Sequence, residues 1–336
     1  MNRHLDQTSA LVSVIGGGSW GTALAIALAR AGHPVALVVR DHAQADAINR
    51  TQRNARYLPQ IPLPKNIIAT ANSASELAAS ALIIYALPCA ILAQTLPKLA
   101  PLNAPVIAAC KGLDQASGQR VDTMLLTALG ATRSLLLSGP SFADEVAANK
   151  PTAITLAATD LHTALDAARF FAESNLRIYP HDDLTGVALG GALKNIIAIA
   201  AGIAQGLNLG HNAMAALVTR GIAEITRLAV ACGARRETLH GLSGLGDLVL
   251  TCNGGQSRNR RLGEALAHGK SLIEARSAIG QVVEGERTAQ MAQHLAQQHH
   301  IDVPIIASVC AVLSGTSNAS QALQQLMARP TKAEFE

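Results

Sequence analysis

The first half of the chain alternates short apolar runs with helix-like stretches. Leu11–Ile15 reads Leu-Val-Ser-Val-Ile and closes at Gly16. So short an apolar run bounded by glycine predicts a strand buried on both faces. Ser19–Ala31 has helical character and stops at Gly32, a residue that ends helices well. Further strand candidates are Val35–Val39, Ile67–Ala69, Leu82–Tyr85, Val106–Ala109, Leu135–Leu137, Ala153–Leu156 and Leu176–Tyr179, with helical stretches such as Glu76–Ala81 and Ala90–Leu99 between them. About eight strands separated by helices predict βαβ units, a mostly parallel sheet and helices on both of its faces.

After Pro180-His181-Asp182-Asp183 the period changes. Long stretches repeat every 3.6 residues and strand signals become scarce. Asn212 is placed to cap a helix running to Ala231, with Gly233 just past its end. Ser271–Ile279, Arg287–Gln298, Pro304–Ser314 and Ala319–Ala328 also read as helices. The expected organisation is a polar extension over 1–10, an α/β domain over 11–183, an all-α domain over 184–330 and a tail over 331–336. Thr185 to Gln205 is almost uncharged and long enough to cross a bilayer, which takes about 20 residues. Lys194 and Asn195 sit in its middle, where a lysine facing lipid costs about 3 kcal/mol on insertion. With no aromatic belt beside it, the segment is expected to be a buried central helix, and the chain is not expected to span a membrane.

Composition changes this picture in two ways. Apolar residues make up 49% and charged residues 15%, which excludes wholesale disorder. Aromatic residues are only 2%, and past residue 180 the sole one is Phe335. A single-stranded nucleic-acid binder needs aromatic stacking platforms, and the net charge of +4 comes with no dense Lys/Arg run. No nucleic-acid partner is therefore expected. Cys89, Cys110, Cys232, Cys252 and Cys310 are widely spaced without a C-x-x-C, so they read as thiols of a reducing, cytoplasmic compartment. The opening MNRHLDQTSA lacks the apolar core of a signal peptide. His299-His300 has no third ligand at useful spacing, so it is read as surface and no metal is expected.

The candidate chemistry begins at Gly16-Gly17-Gly18-Ser19-Trp20-Gly21, a G-x-G-x-x-G between the first strand and the first helix. In this motif Gly16 permits the tight turn, Gly18 lets the backbone approach a pyrophosphate, and Gly21 allows close helix–strand packing, with the helix N-terminus facing the negative charge. The context predicts a Rossmann-type dinucleotide-binding domain. At the end of the second strand Arg40 precedes Asp41. An acid about 20 residues past the loop reads the ribose of NAD, and an arginine accommodates the 2′-phosphate of NADP. NADPH/NADP is the expected preference, with NADH/NAD tolerated. Arg40 could equally stack on adenine, or the two residues could be a solvated pair at a loop start.

Lys111-Gly112 follows the fifth strand candidate and Ser138-Gly139-Pro140-Ser141-Phe142-Ala143 the sixth. Ligands of such sheets bind outside the carboxyl ends of strands. The first could also be a solvated loop lysine, and the second a turn with Ser141 as a helix N-cap. On a helix, Gly190 and Gly191 lie one turn before Lys194, which leaves the lysine over a notch. Glycine in a helix interior costs about 1 kcal/mol relative to alanine, so a ligand approaching Lys194 through the notch is the sharper expectation, the alternative being another helix packed close. Gly244-Leu245-Gly246-Asp247 places an acid after a flexible turn. Gln256-Ser257-Arg258-Asn259-Arg260-Arg261 offers guanidinium forks suited to phosphate, although a charge run is often a solvated helix face.

In this order, GGGSWGTALA, NARYLP, CKGL, SGPSFADEV, GGALKNIIAIAAGIAQGL, TRGIAE, GLSGLGDLVLTC, SRNRR and VVEGERTA resemble the bacterial NAD(P)-dependent glycerol-3-phosphate dehydrogenase family over about residues 11 to 290. The resemblance implies a Rossmann-type domain followed by a helical domain like that of 6-phosphogluconate dehydrogenase. It also implies reversible reduction of dihydroxyacetone phosphate to sn-glycerol 3-phosphate, the glycerol backbone of phospholipids. It carries cofactor roles onto Ser19, Trp20, Arg40, Lys111, Ala143, Arg258, Val282 and Glu284. Substrate roles fall on Lys111, Gly139, Ser141, Lys194, Asp247, Ser257, Arg258 and Asn259. Lys194 matches the family's proton acceptor, Asp247 would orient it or a water, and Lys111 would help polarise the carbonyl. The ten-residue extension and Cys110 before Lys111 are minor departures. Competing expectations are a 3-hydroxy acid or ketopantoate-type dehydrogenase, and a non-enzymatic NADP sensor. An Ala-rich helical face is a candidate homodimer surface.

Overall fold

The computed structural model describes residues 10–114, 118–280, 283–331 and 333–334. Most of the polar extension, parts of the tail and Val282 lie outside the described residues. The chain divides into two units, Met1–Ala188 and Leu189–Glu336. The division falls inside the helix Leu184–Gly206, five residues past the expected domain limit at 183, because the first turn of that helix packs with the α/β core.

The first unit holds one eight-stranded sheet. Its strands are β1 (Val12–Ile15), β2 (Val35–Val38), β3 (Ile67–Thr70), β4 (Leu82–Tyr85), β5 (Val106–Ala108), β6 (Ser134–Ser138), β7 (Thr152–Ala157) and β8 (Leu176–His181), in the order β3-β2-β1-β4-β5-β6-β7-β8. All eight strand candidates are present. Alternate residues feed opposite faces, as the pleat requires. Val12, Val14, Leu82, Ile84, Ile107, Leu135 and Leu137 pack in one core, whereas Ile15, Ile83, Tyr85, Val106, Ala108 and Leu136 pack in the other. Both faces are apolar because helices cover both. All pairings are parallel except β6 with β7. The connection between them contains a helix of only 5 residues, Ala143–Ala147. At about 1.5 Å per residue, it is too short to carry the chain back along a strand of about 17 Å, and the chain returns antiparallel.

In the helical unit, Leu184–Gly206 is apolar all round and 94% of its apolar window is buried inside the protein, the signature of a core helix. It crosses Arg258–Ala267 at glycine contacts. A Cβ on Gly202 would lie 1.9 Å from Arg260 O, and one on Gly263 would lie 1.9 Å from Ile199 O. The following helix is Gly210–Ala231. Asn212 lies inside it rather than capping it, since the chain turns at Asn208 and Gly210, both with positive φ, and the helix begins three residues early, with Leu209 at the cap. Later helices are Leu272–Ile279, Glu284–Gln298, Pro304–Ser314 and Ala319–Met327. Glu284–Gln298 starts three residues ahead of expectation.

Glu224, on Gly210–Ala231, is 1% exposed. Its two carboxyl oxygens accept Ile305 N at 3.0 Å and Ile306 N at 2.8 Å, satisfying the first turn of Pro304–Ser314. Burial nevertheless pushes its pKa up to about 7 from 4.5. The folded state therefore holds this proton more tightly than the unfolded chain. The stabilisation it gives is complete below about pH 4.5 and is lost as pH rises through about 7. We expect wild-type thermal stability to fall across this window relative to Glu224→Gln, by a few kcal/mol in all. Parallel pH dependences in melting experiments would refute this.

Candidate active site

Four sequence-predicted groups lie at the carboxyl ends of strands. The glycine loop follows β1, Arg40 follows β2, Lys111 follows β5 and Gly139–Ser141 follows β6. Strand order reverses between β1 and β4, the place where doubly wound sheets bind ligands. Gly16 turns there with φ +123°, and a Cβ on it would lie 2.9 Å from Ala86 O, just past β4. A Cβ on Gly21 would lie 1.9 Å from Gly16 O, so only glycine lets the helix Ser19–Arg30 start so close to the turn. Gly18 is different, since a Cβ there would meet nothing within 4 Å. Its face of the loop opens at the helix N-terminus, which gives backbone N–H groups access to an anion. The observed cradle fits a dinucleotide pyrophosphate.

Around this loop, Trp20 Nε1 donates to Ala109 O at 3.1 Å and Ser19 Oγ to Tyr57 O at 3.3 Å. The tryptophan thereby ties the loop to the end of β5, two residues before Lys111. Lys111 Nζ donates to Gly139 O at 3.1 Å, and Ser141 Oγ donates to the same oxygen at 3.0 Å. The structure thus brings Lys111, Gly139 and Ser141 together. Ser141 is not the N-cap of Ala143–Ala147, because Phe142 holds that position. Arg40 is exposed. Asp41 caps the helix His42–Thr51, its Oδ1 accepting Gln44 N at 2.8 Å.

In the helical unit, Lys194 is 6% exposed and Asp247 1%. Lys194 Nζ donates to Asp247 Oδ1 at 2.6 Å and to Thr251 Oγ1 at 2.8 Å. Thr251 Oγ1 donates in turn to Asp247 O at 2.6 Å. The acid does not follow a flexible turn. Leu242–Gly246 forms a π-helical turn, and Asp247 opens the helix Asp247–Asn253. π-turns of this kind recur at functional sites. This turn also fills the notch before Lys194, since a Cβ on Gly190 would lie 2.8 Å from Ser243 O. Close backbone packing, rather than an approaching ligand, accounts for Gly190. It brings the turn onto the helix one turn before Lys194 and so sets Asp247 against it.

Thr251 is a site residue that sequence reasoning missed. The available signal was its spacing of four from Asp247, which places both on one helix face. Cys252 lies beside this cluster, and burial pushes its pKa up to about 12, so it stays a thiol at neutral pH and offers no competing nucleophile.

Ser257 is the N-cap of Arg258–Ala267, its Oγ accepting Arg260 N at 3.2 Å. Asn259 is buried, and its Oδ1 accepts Gly285 N at 3.0 Å in the first turn of Glu284–Gln298. Arg258 is exposed at the same helix start, whereas Arg260 turns back to Gly254 O. Among the described residues no group of His, Cys, Asp or Glu is arranged to hold a metal.

The glycine cradle at the switch point of a mostly parallel sheet defines a dinucleotide-binding protein, and its helical unit separately holds the buried lysine–aspartate–threonine cluster. Comparison with known proteins narrows the class. Residues 11–164 match the NAD-dependent glycerol-3-phosphate dehydrogenase N-terminus and residues 183–324 the corresponding C-terminus. The chain belongs to the NAD-dependent glycerol-3-phosphate dehydrogenase family. It is 48% identical over 328 residues to a Thioalkalivibrio sulfidiphilus protein named glycerol-3-phosphate dehydrogenase [NAD(P)+], covering 96% of this chain and 98% of that one. A Halorhodospira halophila protein of the same name is 45% identical over 97% of this chain and 98% of its own length. The crystal structure of glycerol-3-phosphate dehydrogenase from Coxiella burnetii superposes with a TM-score of 0.88 at 39% identity, covering 96% of this chain and 100% of that one. A Ralstonia eutropha ketopantoate reductase shares the fold alone, with a TM-score of 0.59 at 17% identity over 93% of this chain and 99% of that one.

Proposed function

We propose that this chain reduces dihydroxyacetone phosphate to sn-glycerol 3-phosphate, reversibly, with Lys194 as general acid and base. The buried Lys194–Asp247–Thr251 cluster carries this reading. A bound dinucleotide supplies a hydride to the C2 carbonyl carbon of the substrate. As the carbonyl oxygen gains charge, the Lys194 ammonium stabilises it and gives it a proton. In the oxidative direction the neutral amine takes that proton back. Asp247 and Thr251, both bonded to Lys194 Nζ, fix the direction in which the ammonium points. Lys111, held on Gly139 O beside Ser141, helps polarise the carbonyl. Arg258 and Asn259, at a helix start capped by Ser257, grip the phosphate and orient the substrate rather than doing chemistry.

On the cofactor side, Gly16, Gly18 and Gly21 form the pyrophosphate cradle, with Ser19, Trp20, Arg40, Lys111, Ala143, Arg258, Val282 and Glu284 as further contacts. The carboxylate of Asp41 is committed to its helix cap and Arg40 is exposed, which supports a preference for NADPH. We expect Arg40→Ala to raise KM for NADPH about tenfold or more, the worth of an ionic hydrogen bond, with little change for NADH. Equal losses for both cofactors would mean that Arg40 stacks or folds. The five widely spaced cysteines, without a C-x-x-C, support a reducing, cytoplasmic setting. A homodimer through the helical unit completes the reading. The hydride step is tested with NADPH deuterated at both C4 positions. Deuterium at C2 of glycerol 3-phosphate is expected, and its absence from C2 in product formed would refute direct transfer.

A further inference from the structure

Asn54, in the NARYLP segment, is 1% exposed, and its amide donates to the glycine loop and to the helix that follows it. Its Nδ2 donates to Gly17 O at 2.9 Å and to Thr22 Oγ1 at 2.8 Å. A carbonyl oxygen only accepts, so the amide's orientation is fixed by its partner. Gln44 Nε2 also reaches Gly17 O, at 3.5 Å, the limit of a hydrogen bond. The segment is itself braced, with Leu58 N donating to Asn54 O at 2.9 Å and Arg53 bridging Pro62.

Gly17 O and Gly18 N belong to one peptide plane, and in a trans peptide the C=O and N–H point in opposite directions. Anchoring that carbonyl toward the protein turns the Gly18 N–H away from it. Gly18 is the loop position where a Cβ would meet nothing. We propose that Asn54 is the positioning residue of the dinucleotide loop, holding the Gly17–Gly18 peptide so that Gly18 N–H faces a pyrophosphate oxygen. This rests on the reading of the loop as the cofactor site.

Trp20 is the single tryptophan of the chain and lies in this loop, so its fluorescence reports NADPH binding without substrate. Asn54→Ala should weaken NADPH binding and raise its KM by about tenfold, and Asn54→Asp, which can only repel the Gly17 carbonyl, by more. With NADPH saturating, kcat and KM for dihydroxyacetone phosphate should stay within about threefold, and Thr22→Val, which keeps the Gly17 contact, should bind NADPH within about threefold of wild type. In the unsubstituted chain the Gly18 amide should gain about tenfold hydrogen-exchange protection on NADPH addition, a readout that needs no variant. Wild-type NADPH affinity in Asn54→Ala, or unchanged Gly18 exchange in a chain that binds NADPH, overturns the proposal. A wild-type chain that binds neither NADPH nor NADH overturns the cofactor reading and the proposal with it.

Discussion

Replacing Lys194 with alanine is expected to lower kcat by about a thousandfold, within the range for losing a positioned general acid–base, while NADPH binding persists. Two separate costs are involved. The first is chemical, because no other described group on this cluster can both stabilise the carbonyl oxygen and protonate it. The second is structural. Asp247 is 1% exposed and would lose its 2.6 Å ammonium partner, and breaking one side of a buried pair costs about 3–5 kcal/mol. The two are separated by adding Asp247→Asn, which removes the stranded charge. The double variant should recover much of the urea stability and none of the activity. Near-normal kcat in folded Lys194→Ala would remove Lys194 from the chemistry.

The second large effect is expected at Gly21. Alanine there would put a methyl 1.9 Å from Gly16 O and 3.1 Å from Ala86 Cβ. The first contact is backbone and cannot swing aside. The helix start and the turn must part, at a cost near the upper end of the 1–3 kcal/mol, or more, usual for overpacking. We expect Gly21→Ala to lower the urea midpoint and to weaken NADPH binding about a hundredfold, since a 3 kcal/mol distortion passed to the loop is worth that much. Gly18→Ala is the contrasting variant. Its methyl meets no protein atom within 4 Å and its φ of −78° suits alanine. Stability should hold while NADPH binding falls, because the methyl stands where the pyrophosphate must approach. Equal destabilisation of both variants would contradict this division of roles.

Much of the fold was legible because period and punctuation are local properties. The run Leu82–Tyr85 became β4 as read, and Pro304–Ser314 became a helix with the predicted limits. Strand direction is not local, and nothing in Ala153–Leu156 announces that β7 runs against β6. The same distinction governs the site. Lys194 and Asp247 each stand out in the sequence, yet their pairing spans 53 positions and depends on a π-helical turn that no period signals. Gly190 drew attention for a sound reason, the cost of glycine in a helix, but the explanation is the Ser243 backbone against it. Thr251 escaped notice because a threonine in an apolar helix has many uses, and only its hydrogen bonds to Lys194 and Asp247 distinguish it. That Asp41 caps the helix His42–Thr51 was not announced either, because an acid after a strand serves a cap and a ribose equally well in sequence.

The most direct test of this account is a comparison of NADPH oxidation by the purified chain with dihydroxyacetone phosphate and with 2-dehydropantoate, each product being identified. The account predicts rapid oxidation with dihydroxyacetone phosphate alone, matched mole for mole by sn-glycerol 3-phosphate and abolished in Lys194→Ala. Turnover of the carboxylate substrate without turnover of the phosphate, or full activity in Lys194→Ala, would contradict it.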